Sequence, residues 1–247
     1  MRPVERGVAP KIYIRYKDAI GDLEGRLGIY CSYCERSLPV GLAVEHIIPK
    51  VLHPELETEW TNFLLGCTNC NSVKGDRTVE IDNFLWPDRD NTLLAFVYSK
   101  GGFVRLTDNM NNQQKTKAQA LLDLVGLQRH QAPGWARPAP RDKRWQQREE
   151  IWTTAEKCRD DFEAVDRCVQ ARDLVLEFAQ SKGFFSVWMT VFDNYPDMKR
   201  ELIKLFPGTA MSCFDSDGKP IDRPASIILE ILLLKELPNE PLRTCSK

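Results

Sequence analysis

Cys31-Ser-Tyr-Cys34 and Cys67-Thr-Asn-Cys70 stand at the two ends of a segment whose middle reads Val44-Glu45-His46-Ile47-Ile48-Pro49. Each Cys-x-x-Cys puts two thiolates on one tight turn, and two such turns supply the four sulfurs of a closed, tetrahedral zinc site. The gap between the pairs, 32 residues, is longer than in a small zinc finger, so the metal is expected to clamp the ends of a larger unit. Metal binding of this kind contributes folding free energy on the order of 10 kcal/mol. The competing reading is a redox pair. That chemistry belongs at a strand-to-helix step of a βαβ unit, and the flanking sequence has no such pattern. Structural zinc is therefore expected at Cys31, Cys34, Cys67 and Cys70.

Between the cysteine pairs lie two of the three histidines. Leu42 to Ile48 reads as a short strand stopped by Pro49, and it sets Glu45 beside His46. Asn62 follows sixteen residues later, and Asn71 comes directly behind the last cysteine. Asn71-Ser-Val-Lys74-Gly75 reads as a short helix closed by glycine. Phosphodiester hydrolysis needs a base for water, a divalent cation on the phosphate, ligands for that cation and a rigid frame. His46 is the natural base. Glu45 and Asn71 are hard oxygen donors that suit Mg²⁺ or Mn²⁺. Asn62 could tie the intervening loop through its amide. Lys74, one helical turn from Asn71, could meet a phosphate. The blander readings are a core histidine at position 46 and a solvated lysine at 74. His53, before Pro54, and His130 are expected on the surface.

This pattern resembles the HNH endonucleases, the ββα-metal nucleases, in the subgroup that carries a four-cysteine zinc. The resemblance covers Cys31 to Lys74, under a fifth of the chain. It implies a small zinc-clamped ββα fold with His46 as general base and Asn62 orienting it. It also implies Glu45 and Asn71 as ligands of the catalytic metal. Two positions depart from the commonest form: Asn71 stands where His is usual, and Glu45 where Asp is usual. A narrower resemblance rests on the opening MRPVERGVAP, the Cys-Asn-x-x-Lys-Gly-Asp ending and the length of helical tail. It is to the PtuB family, HNH effectors of Septu anti-phage systems. That family implies an ATPase partner of the PtuA type. In retron loci it also implies a reverse transcriptase with its multicopy single-stranded DNA.

Outside this segment, residues 93–98 and 103–106 flank Ser-Lys-Gly-Gly as a hairpin. From about Gln113 the texture is helical. Helices are expected at 115–127, at 142–180 as one long amphipathic helix, and at 187–192, 196–206 and 224–237. The long helix would bury Trp145, Trp152, Ala155, Phe162, Val165, Val169 and Leu176. The fold class is α+β: an HNH module over 1–110, then a helical region over 111–247 for partner docking and nucleic-acid contact.

Composition sets the outer limits. With 43% apolar and 28% charged residues the chain is neither disordered nor membrane-spanning. Its longest apolar run is too short to cross a bilayer. A charged N-terminus without a signal-like stretch points to the cytoplasm, where eight cysteines are not a disulfide framework. The net charge of −1 excludes a simple basic coat protein. Residues 1–80 hold ten Lys+Arg against eleven Asp+Glu, poor counter-charge for a phosphate backbone. The best basic cluster is Arg129, Arg137, Arg141, Lys143, Arg144 and Arg148 with Trp135 and Trp145. A solvated or protein-docking face explains it equally well. Two rivals to the leading reading stay open: a non-catalytic zinc module that binds nucleic acid or scaffolds a partner, and a stand-alone restriction or homing-type HNH nuclease.

Overall fold

The computed structural model describes residues 1–224. Helix α1 (Ile20–Leu27) buries Leu23 and Leu27 and leads into the first cysteine pair. Strands β1 (Leu42–His46) and β2 (Phe63–Cys67) pair antiparallel, with Leu42 opposite Cys67 and His46 opposite Phe63. All five residues of β2 are buried, as its unbroken apolar run requires. The strand passes directly into helix α2 (Thr68–Lys74), whose N-cap is Cys67. Two strands and this helix make a ββα unit. The strand expected through Ile48 ends at His46, because Ile48 N–H donates to the side chain of Asn62 at 2.8 Å instead of to a strand partner.

A second hairpin, β3 (Phe96–Ser99) and β4 (Phe103–Leu106), follows. Then come α3 (Asn112–Val125), opened by a capping box between Asn111 and Gln114, and α4 (Arg144–Ala164). Helices α5 (Val169–Lys182), α6 (Phe185–Val191) and α7 (Pro196–Leu205) complete the described chain. The single helix expected over 142–180 is therefore two. Asp166 and Arg167 take left-handed φ values of 52° and 57°, and α5 returns against α4. Neither Pro nor Gly marks this reversal, so the apolar spacing runs straight through it. Its cost is visible in Val165 and Val169, expected in the core but half exposed. The helix expected over 224–237 lies, past its first residue, outside the described residues.

One contiguous apolar core runs through both regions. Tyr33, Phe63 and Trp86 belong to the same cluster as Phe185, Trp188, Phe192 and Phe206. Polar ties reinforce it: the carboxylate of Glu35, in the first cysteine turn, accepts from Ser186 N (3.0 Å) and Ser186 Oγ (2.6 Å) at the start of α6. The overall class is α+β, with small two-stranded sheets and a helical region after them. Among the described residues no helix is long and apolar enough to cross a membrane.

Two expectations about basic and aromatic surface are corrected. Arg144 and Arg148 are 2% and 1% exposed and cannot face nucleic acid. Arg148 donates to the carbonyls of Gly102 and Leu127, both at 3.0 Å, and so fastens the hairpin turn to the end of α3. Arg137, Arg141 and Lys143 remain exposed. His130 is buried, not on the surface, packed against Phe103, Trp135 and Trp145. Its Nε2–H donates to Gly101 O and its Nδ1 accepts from Ala132 N, each at 2.9 Å. The three rings come from β4, the connector and α4, a convergence that no local pattern announces.

Candidate active site and cysteine cluster

The sulfurs of Cys31, Cys34, Cys67 and Cys70 lie within 4.8 Å of one another, all buried. Sulfurs around a zinc ion at roughly 2.3 Å sit about 3.8 Å apart, and Cys34 Sγ is 3.6 Å from Cys67 Sγ. The ββα unit and the first turn bring the pairs together, since Cys67 ends β2 and Cys70 opens α2. N–H donors surround the cluster. Cys67 N points at Cys31 Sγ and Cys70 N at Cys67 Sγ, both at 3.4 Å. Arg36 Nη2 reaches Cys67 Sγ at 3.2 Å, and Arg144 Nη1 reaches Cys70 Sγ at 3.2 Å. The Cys67 thiol is pushed far down by hydrogen bonds from Cys31, Cys34 and Cys70, with the charge of Arg36 adding to them. A buried all-thiolate set, closed on every side, fits zinc in a structural role.

His46 closes β1 with its ring against Tyr16 (4.9 Å) and Phe63 (5.2 Å). Its Nε2 is 2.9 Å from the carbonyl oxygen of Glu57. A carbonyl only accepts, so Nε2 carries the proton and Nδ1 carries the lone pair. Burial lowers the His46 pKa, and the charges of Lys50 and Lys74 act in the same direction against the Glu57 hydrogen bond. The imidazole is thus held neutral, in one tautomer, with one nitrogen left to take a proton.

Asn62 holds the loop that presents the Glu57 carbonyl. Its Oδ1 accepts from Ile48 N at 2.8 Å, and its Nδ2 donates to Ile48 O (3.0 Å) and Leu56 O (3.4 Å). One side chain therefore fixes both ends of residues 48–56, next to the residue that orients His46.

Glu45 is buried and faces α2. Lys74 Nζ stands 2.9 Å from its Oε1 and 2.7 Å from the backbone oxygen of His46. Burial raises the Glu45 pKa, and Lys74 is the largest opposing influence. Tyr33 OH adds a long contact at 3.5 Å. Lys74 is 3% exposed, not solvated, and its ammonium is spent on the strand. Asn71 presents a buried Oδ1 without a hydrogen-bond partner among the described residues. A Cβ built on Gly66 would lie 2.3 Å from that oxygen and 3.0 Å from Glu45 Cβ, so Gly66 is the gap that lets strand and helix bring these two residues together. An orphaned amide oxygen beside a carboxylate is what a hard divalent cation takes as ligands. Asn71 and Glu45 therefore fit a catalytic ion. His53 lies exposed, its Nδ1 3.0 Å from Glu55.

The structure thus gathers Glu45, His46, Asn62, Asn71 and Lys74 around one end of the ββα unit, with the four cysteines at its base. It adds residues that sequence reasoning passed over. Glu57 contributes only a backbone oxygen, which leaves no trace in its side-chain identity. Gly66 did carry a signal, a glycine inside an apolar strand, which marks close approach of another group. Arg36 and Arg144 carried only their charge.

With this geometry in place, comparison with known proteins identifies residues 31–77 as an HNH endonuclease domain. That span holds every candidate site residue named above, and Arg36, but not Arg144. The chain is also 33% identical over 78 residues to Septu protein PtuB of Bacillus thuringiensis, across 29% of this chain and 30% of the relative. The matched part is thus under a third of the curated relative's length.

Proposed function

We propose that the HNH domain makes this chain a metal-dependent endonuclease that hydrolyses phosphodiester bonds of nucleic acid, DNA or RNA (tRNA included). The single observation that carries the reading is His46, neutral and held by the Glu57 carbonyl, next in sequence to a carboxylate that shares Gly66 with the orphaned oxygen of Asn71. In this reading Nδ1 of His46 takes a proton from the attacking water, while Asn62 keeps the loop, and so the ring, in place. Glu45 and Asn71 would hold a Mg²⁺ or Mn²⁺ ion, which when bound supplies positive charge to the phosphate. Lys74 orders Glu45 and the end of β1. The four cysteines would hold structural zinc.

The finer part of the proposal is an effector role in an anti-phage complex, in the cytoplasm. Similarity to a Septu protein supports it, as does the charge count. The first 80 residues have no excess of cations, and two of the best arginines are buried. A nuclease so poor in exposed counter-charge needs a partner to share the backbone. The partner class is an ATPase of the PtuA type, with a retron reverse transcriptase and its DNA where such a locus is present.

The test is incubation of purified chain with plasmid and with RNA, in Mg²⁺ or in EDTA, alone and with the ATPase. Metal-dependent cutting that disappears in His46→Ala supports the reading. Absence of cutting under all these conditions overturns it in favour of a non-catalytic zinc module.

A further inference from the structure

Four thiolates around a divalent zinc leave two surplus negative charges, and here they sit in a site with every ligand at most 2% exposed. Such a charge needs donors close by. Two side chains provide them. Arg36 donates to Cys67 Sγ at 3.2 Å, to Asn69 Oδ1 at 3.0 Å and to Gln147 Oε1 of α4 at 2.9 Å. Arg144 is the more committed of the two. Asp142 grips its guanidinium through Nε (2.8 Å) and Nη2 (2.6 Å), which aims Nη1 at Cys70 Sγ, 3.2 Å away. The same fork donates to the last carbonyls of α3, Val125 O at 2.8 Å and Gly126 O at 3.1 Å. The arrangement is a carboxylate–guanidinium–thiolate chain, comparable in logic to the carboxylate–histidine pairs that orient metal ligands. Arg144 lies 74 residues beyond Cys70 and outside the HNH span.

We propose that Arg36 and Arg144 are the charge-balancing partners of the four-cysteine centre, and that Arg144 makes zinc occupancy hold the junction of α3 and α4 against the nuclease module. The inference rests on the zinc reading of the cluster. Metal sets the position and charge of Cys70. Cys70 is one of the acceptors that keep the Arg144 guanidinium satisfied, and Arg144, the first residue of α4, in turn ties that helix to the end of α3. The connector between these helices carries exposed Arg141 and Lys143, which are natural trypsin sites, whereas the Arg137–Pro138 bond resists the protease.

The experiment uses the full chain and reads zinc, not cutting. Zinc content is measured by elemental analysis, and zinc release by a chromophoric chelator. Trypsin cleavage after Arg141 and Lys143 is followed with and without the chelator. One zinc per chain is expected in the wild type, with connector cleavage accelerating as zinc leaves. Arg144→Met should weaken zinc binding about 10- to 100-fold and open the connector without chelator, with Arg144→Lys recovering part of both. Arg36→Met, at a half-buried position, should speed zinc release, with the connector staying closed for as long as zinc remains bound. Arg148→Met is the control, because Arg148 is equally buried one turn along α4 and touches no sulfur. If Arg144→Met loses zinc no faster than Arg148→Met, or zinc removal leaves the connector unchanged, the inference is overturned. A wild-type chain without zinc would instead overturn the cofactor reading beneath it.

Discussion

Lys74 and Glu45 form a buried ion pair, Nζ to Oε1 2.9 Å, with side chains 3% and 8% exposed. The pair joins α2 to β1 at the point where the site chemistry is gathered. It is also the one place where the proposed metal ligand already has a cation. Removing one partner of a buried pair leaves the other charged and unsolvated, at a cost of about 3–5 kcal/mol. Lys74→Met is therefore expected to lower stability by that order, read from urea unfolding. Glu45→Gln combined with Lys74→Met should recover much of the loss. A double variant no more stable than Lys74→Met would show that the methylene stem of Lys74, not its charge, does the holding.

Cutting should separate His46 from Asn62. His46→Ala removes the proposed base together with its ring packing and its hydrogen bond to the Glu57 carbonyl. Activity should vanish, while zinc content stays at the wild-type level. Asn62→Ala removes the tie between Ile48 and Leu56, and with it the aim of the Glu57 carbonyl. Displacement of a catalytic group by about 1 Å can cost on the order of 100-fold in rate, and the lost buried hydrogen bonds about 1–3 kcal/mol in stability. Turnover should fall with KM little changed. Full turnover in Asn62→Ala would remove it from the positioning role.

Gly66→Ala asks whether Asn71 is a ligand. The new methyl would lie 2.3 Å from Asn71 Oδ1, and the side chain is the part that can move. Metal-dependent cutting should drop at least as far as in Asn71→Ala, and adding Mg²⁺ or Mn²⁺ should recover only part of it. Gly66 and Asn71 adjoin Cys67 and Cys70 in sequence, so zinc content is measured alongside, and cutting lost with zinc retained assigns the effect to Asn71. If Gly66→Ala cuts like wild type, the crowding around Asn71 is irrelevant to the reaction.

Much of this site was legible because its parts are local. Cys-x-x-Cys turns, a Glu-His step and an Asn behind the last cysteine fix their neighbours through spacing alone. The ββα unit follows from one short strand on each side of the loop. What resisted reading acts over distance or through backbone. Arg144 looked like a phosphate contact because its charge was visible and its sulfur acceptor was not. The α4–α5 reversal runs through Asp166 and Arg167, with no Gly or Pro to mark it. Lys74 reads in the sequence as a candidate phosphate contact, with a solvated lysine as the blander alternative, and nothing in Ser-Val-Lys-Gly announces that its ammonium is taken up by Glu45 and the backbone of β1.

Gly183 connects the cysteine turn to the helical region, and the connection can be weighed. Its φ is +77°, and a Cβ there would lie 2.3 Å from Glu35 O and 2.6 Å from Ser37 N. Those atoms belong to the turn that follows Cys34, and Glu35 O also accepts from Phe184 N at 2.7 Å. Gly41 offers the comparison: φ is +94°, it is exposed, and nothing lies within 4 Å of its added Cβ. Gly41→Ala should cost backbone strain only, about 1–2 kcal/mol. Gly183→Ala adds a clash with backbone that cannot swing aside, for a total of roughly 2–5 kcal/mol. It should also speed zinc release, because the displaced segment adjoins Cys34 and carries Arg36. Equal losses in the two variants, with zinc release unchanged, would mean that the cysteine turn and the start of α6 fold independently.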